Sequence, residues 1–119
     1  MIKQSLWKEY FWSRSYCLVT TGGAPIEIVR EYIIVEALVA GVNPQMAERV
    51  ANAESRFNCG ANGDGNKSHG CWQIYLPAHP EITKTQAHDI IWSTQWSLNE
   101  MKKNGCGIWS VCNSVMKSL

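Results

Sequence analysis

Between Pro25 and Phe57 the chain is punctuated as two successive helices, and this pairing narrows the fold more than any other feature. Pro25 suits the first position of a helix, where its missing N–H costs nothing. Ile26, Val29, Ile33 and Ala37 recur behind it at helical spacing, and Gly41 stands where a left-handed stop belongs. Asn43-Pro44 then opens a second helix, the asparagine as cap and the proline in the first turn. Its apolar positions are Ala47, Val50, Ala51 and Phe57, while Gln45, Glu48, Arg49, Asn52 and Arg56 take the other face. Glu54 breaks this division. It follows Val50 by four residues and Ala51 by three, which puts a carboxylate on the inward stripe.

The rest of the chain reads more coarsely. From Asn58 to Gly70 there is no periodicity, and the glycines and asparagines predict a loop. Cys71 to Leu76 is short and mostly apolar, and Pro77 and Pro80 break the chain just beyond it. Thr83 with Gln86 forms a capping-box pattern. The helix it starts is expected to run to about Lys103, with Ala87, Ile90, Ile91, Leu98 and Met101 on one side and Asn104-Gly105 as its stop. Trp92 and Trp96, four residues apart on it, are expected to pack into the core. The last residues predict one final helical turn. Upstream, Ser15 to Thr21 is a candidate strand closed by Gly22-Gly23. The fold class expected is therefore mainly α, with a short N-terminal strand and helix extension.

A chain of 119 residues, 45% apolar and 18% charged, has the material for one core and little room for two. Its net charge of +1, from 11 basic and 10 acidic side chains, gives no attraction for nucleic acid or an anionic membrane. No apolar run reaches the roughly 18–20 residues that span a bilayer. Charges and tryptophans in the first fifteen residues interrupt any signal-peptide core. Of the five cysteines, Cys59, Cys71, Cys106 and Cys112 lie after residue 58, which suggests an oxidising compartment and two bridges whose pairing stays open. Metal-ligand spacing of the CxxC or His-x-x-x-His kind is absent. His69, His79 and His88 are scattered and read as surface residues. Asn62-x-Asp64-x-Asn66 resembles half a calcium loop, but Lys67 replaces the required glycine and Gln73 the closing glutamate. No metal or cofactor is expected.

An ionised carboxylate facing a core is costly, so its pKa rises and it holds its proton nearer neutrality. Such a group can protonate a leaving oxygen, as glycoside cleavage requires. The stretch "AERVANAESRFNCGANGDGNKSHGCWQI" (residues 47–74) resembles the active-site region of the lysozyme-like lytic transglycosylases of the SLT type. The landmarks are Glu54-Ser55 at a helix end, a loop, and Gly70-Cys71-Trp72-Gln73-Ile74; "IIVEALVAGVNPQMAERVANA" resembles the two helices that lead into them. The resemblance covers about residues 33–113 and implies a lysozyme-like domain over 33–119. It implies Glu54 as acid and then base at β-1,4 bonds of peptidoglycan. Ser55 would bond to the neighbouring loop or to substrate, and Gln73 would line the sugar cleft. Trp72, Tyr75 and Trp109 would offer flat faces to sugar rings. One departure is Cys112-Asn113, where many members carry Tyr-Asn; a bridge to Cys112 is the expected substitute support.

Asp64 is the one carboxylate placed to act as a second acid in a hydrolase, since Glu81 and Asp89 read as charges at helix starts. With a single convincing acid, anhydro-forming cleavage is expected over hydrolysis. A catalytically silent glycan-binding or partner-binding module is the alternative. The expected partner is a glycan strand bound by a monomer outside the cytoplasm, although no export signal is legible. Residues 6–33 resemble the C-terminal end of the IS200/IS605-type transposases, whose DNA-joining tyrosine would correspond to Tyr32. The His-hydrophobic-His metal motif of that family is missing upstream, so residues 1–32 are expected to be a fragment that packs on the domain and not a nuclease.

Overall fold

The computed structural model describes residues 24–119, and the strand expected over residues 15–21 lies outside them. Within that span the protein is mainly α. Helix α1 (Ile26–Ala40) begins one residue later than its proline suggested, with Pro25 as the cap. It ends at Gly41, whose φ of 77° is the left-handed stop foreseen. Helix α2 (Pro44–Ser55) is capped as its sequence requires: the Asn43 side chain accepts from the N–H groups of Gln45 and Met46. Packing of α1 on α2 buries Val29, Ile33, Ala37, Ala47, Val50 and Ala51 in one core. Helix α1 runs unbroken through positions 32 and 33, across the place where the boundary is expected.

The segment read as a loop supplies two strands of a small antiparallel sheet, and the short apolar stretch after it supplies the third. Strands β1 (Asn62–Gly63), β2 (Ser68–His69) and β3 (Ile74–Tyr75) pair in that order, with Asn62 opposite His69 and Ser68 opposite Tyr75. The turn between β1 and β2 holds three successive left-handed residues, Asp64, Gly65 and Asn66, which are the types that accept that conformation best. The Lys67 N–H donates to the Gly63 carbonyl across it.

The helix expected from Thr83 to Lys103 is two. Helix α3 (Lys84–His88) has the full Thr83–Gln86 capping box. Asp89 then leaves helical geometry and accepts from the N–H groups of Ile91 and Trp92, so one carboxylate ends α3 and caps α4 (Ile90–Asn104). The inward face of α4 is less apolar than its sequence suggested: Ser93, Thr94 and Ser97 are fully buried beside Ile90 and Leu98, whereas Ile91 is half-buried. Helix α4 packs against α1. Trp92 and Trp96 are partly buried against the core. Helix α5 (Cys112–Ser118) is longer than the single turn expected and packs on α2.

Among the described residues two bridges form, Cys59–Cys71 and Cys106–Cys112. The first closes a span of 12 residues and pins the end of α2 to the sheet. By loop-closure entropy it contributes about 3 kcal/mol. Replacing Cys59 and Cys71 together by serine is expected to lower the urea midpoint accordingly, and reductant should then have a smaller further effect than it has on the parent protein. A pair of midpoints unmoved by the double substitution would show that the bridge adds nothing.

Candidate functional site

Glu54 sits one residue before the end of α2, on the stripe that carries the fully buried Val50 and Ala51. Its own side chain is half-buried. Burial is the larger cause holding its pKa above the ordinary glutamate value, and the negative charge of Asp64 is the second. The negative end of the helix dipole acts in the same direction. Asp64 itself is exposed in the β1–β2 turn, where the Ser68 hydroxyl donates to its carboxylate. The structure thus brings the two carboxylates close enough to interact. A titration followed by carboxyl carbon NMR is expected to show Glu54 protonating at higher pH than the exposed glutamates. Asp64→Asn should lower that pKa toward them, and an unmoved midpoint would refute the coupling.

The next residue fixes the geometry. Ser55 Oγ donates to the Cys71 carbonyl at 2.7 Å, joining the helix end to the Gly70–Ile74 segment beside the Cys59–Cys71 bridge. The helix then stops through Arg56 and Phe57, both left-handed, and Phe57 turns into the core. Gln73 also adopts positive φ, at 47°. Its Nε2 donates to the carbonyls of Gly70, at 2.8 Å, and Ala61, at 3.1 Å. The Gly-x-x-Gln spacing therefore closes a tight loop as well as presenting a polar side chain.

Gln73 lines a groove of about 350 Å³ with Tyr75, Trp109, Ile108 and His79. Tyr75 is 43% exposed there, while Trp109 is 4% exposed and has little surface left for a ligand. Trp72 corrects the sequence reading: it is wholly buried, with its indole N–H on Thr94 Oγ1 at 3.0 Å, and has no face for a sugar. It packs against Trp109, whose indole N–H donates to the Trp72 carbonyl. Glu54 does not line this groove; the link between them runs through Ser55, Cys71 and Gln73. The Cys106–Cys112 bridge closes the segment carrying Ile108 and Trp109. Sequence reads His79 as a surface residue and does not single out Ile108, because nothing in their spacing tells that a bridged turn and a 3-10 turn (Leu76–Ala78) meet across a groove.

His69 and His88 also depart from expectation. His69 is 2% exposed and His88 half-buried, and their rings meet edge to face beside Asn62. Burial lowers the pKa of His69, and His88 and Lys84 add repulsion against the stabilising carbonyl of Asn66. His79 is half-buried as well, its ring edge-on to Trp96, so none of the three is the freely exposed histidine expected. Among the described residues, no group of three or more His, Cys, Asp or Glu is placed to hold a metal ion. No helix among them is long and apolar enough to cross a membrane.

A model of the family described as Transposase IS200 like matches residues 1–35. Of that stretch the structure describes the start of α1, in which Tyr32 is buried at 3% exposure. No curated protein and no solved structure matches the chain.

Proposed function

We propose that residues 33–119 form a lysozyme-like domain that cleaves β-1,4 glycosidic bonds of peptidoglycan, with Glu54 as the single general acid and base. The observation that carries this reading is the half-buried Glu54 with its raised pKa, at a helix end locked by Ser55 to the Gly70–Ile74 segment. Protonated Glu54 gives its proton to the bridging oxygen as the bond to the sugar breaks. The resulting carboxylate then takes the proton of the substrate's own hydroxyl as that oxygen closes an anhydro ring, which returns Glu54 to its starting state. Gln73, Tyr75 and Trp109, which line one groove, are assigned to the glycan in this reading. Such a substrate places the protein's work outside the cytoplasm, where the two bridges are also stable.

A second reading draws on Asp64, whose charge is felt at Glu54. With Asp64 as nucleophile or base, water would be the acceptor and the same bond would be hydrolysed. Mass spectrometry of muropeptides released from purified peptidoglycan separates the readings. Anhydro-ended products support the proposal, and products that have gained water replace it with hydrolysis. Glycan binding without turnover would make the chain a binding module. Residues 1–35 have no DNA-joining part in this proposal: Tyr32 is buried and the chain's net charge is +1.

A further inference from the structure

Three side-chain atoms converge on one point at the edge of the sheet. His69 Nδ1 lies 2.7 Å from Asn62 Oδ1 and 3.1 Å from His88 Nε2. His88 Nε2 lies 3.0 Å from the same Asn62 oxygen. Three different elements supply them: β1, β2 and the last residue of α3.

The outer nitrogens decide what the inner ones carry. His69 Nε2 faces the Asn66 carbonyl at 3.0 Å, and His88 Nδ1 faces the Cys59 carbonyl at 2.7 Å. A carbonyl only accepts, so each outer nitrogen bears the ring proton. In the neutral rings His69 Nδ1 and His88 Nε2 are then both lone pairs, and they point toward each other and toward an amide oxygen. Three acceptors within about 3 Å of one another repel unless a cation lies among them. Outer N–H groups anchored on backbone carbonyls, with inner lone pairs converging, is how proteins orient metal-binding histidines.

We propose that Asn62, His69 and His88 form a binding site for a divalent transition-metal ion of the zinc class, with water completing the coordination. Imidazole nitrogen is the preferred ligand of that class, and an amide oxygen is a weaker third donor. The dimensions fit. Two imidazoles held about 2.1 Å from a tetrahedral zinc stand roughly 3.4 Å apart at nitrogen and about 5 Å apart at their centroids. The values found are 3.1 Å and 5.2 Å. Asn62 Oδ1, at 2.7 Å from His69 Nδ1, has to withdraw by about 0.7 Å to reach that spacing, and its exposed side chain has room to turn outward. A sequence scan misses the site because the histidines are 19 residues apart and the third ligand is an asparagine.

The ion would tie the β1–β2 hairpin to the end of α3, beside the Cys59–Cys71 bridge. This inference is independent of any glycosidase activity and is tested without it. Zinc chloride is titrated into the oxidised full-length chain by calorimetry, with the histidine ring nitrogens followed by long-range proton–nitrogen NMR. One zinc per chain is expected, with shifts at His69 Nδ1 and His88 Nε2 while the outer nitrogens keep their protons. His88→Gln is expected to weaken binding by at least about tenfold, and His79→Gln to leave it unchanged. The melting temperature of the parent should rise with zinc and fall back on chelation. Zinc affinity that survives His88→Gln overturns the proposal. So does a zinc-free spectrum, unchanged by zinc, in which the Asn62 amide has turned to donate to the rings. His69→Gln is not relied upon, because that ring is buried and its loss can unfold the hairpin.

Discussion

Glu54→Gln is expected to abolish release of muropeptides from peptidoglycan, by at least about 10³-fold, and to leave the protein folded. Losing a positioned general acid costs about 10²–10⁴-fold, and here the same group acts twice, so the upper part of that range applies. Glutamine keeps the side chain's length and shape and removes the proton it must give. The fold should gain from the change at neutral pH. A glutamate whose pKa is raised on folding binds more protons in the folded state than in the unfolded one. Its stabilising effect is therefore complete below the ordinary glutamate pKa and is lost as pH rises through the raised value. The variant lacks that loss, so its melting temperature should exceed the parent's at pH 7 and match it at pH 3. Undiminished release by a folded Glu54→Gln protein would remove the catalytic reading altogether. A variant that is inactive and also unfolded at neutral pH would contradict the burial that makes Glu54 an acid.

The parts of this molecule that could be read from sequence are those whose cause is local. Gly41, Asn43-Pro44 and the Thr83–Gln86 pair each fix a helix end through a bond within a few residues, and each is found doing so. Glu54 stood out for the same reason, since its neighbours on the stripe lie within one turn. Three features escaped because they depend on distant partners. The sheet has strands of two residues, too short for any alternation to register. The break at Asp89 involves neither glycine nor proline; an aspartate that looks like a first-turn charge is a cap because α3 ends just before it. Trp72 is expected at the cleft from its place in the motif, and Thr94, 22 residues away, holds its indole N–H inside instead. The histidine cluster belongs with these, being joined by β1, β2 and α3 and by nothing in the local sequence.

Gly70→Ala should be the most destabilising single methyl that can be added to the positive-φ glycines among the described residues. Gly70 has φ 85°, where an L side chain costs about 1–2 kcal/mol. A Cβ there would also overlap the backbone carbonyl of Ala87, on the final turn of α3. Backbone cannot rotate away as a side chain can, so α3 and β2 must separate. Gly41 supplies the comparison: its φ is 77°, and an added Cβ meets nothing within 4 Å. Gly41→Ala is therefore expected to cost only the conformational term, while Gly70→Ala should cost roughly 3–5 kcal/mol, within the range of the strongest single-site effects. The damage would not stay local. The Gly70 N–H donates to the Ala61 carbonyl at 2.9 Å, its own carbonyl accepts from Gln73 Nε2, and the next residue's carbonyl receives Ser55 Oγ. Forcing the segment outward thus disturbs the loop that Gln73 closes and the clamp on the end of α2 that places Glu54. Urea midpoints for the two alanine variants, with muropeptide release measured well below each midpoint, provide the check. Gly70→Ala should lose activity even where it remains folded, whereas Gly41→Ala should keep it. Equal destabilisation of the two would mean that the Ala87 carbonyl does not press on Gly70, and that this glycine in the Gly-x-x-Gln segment serves its backbone angle alone.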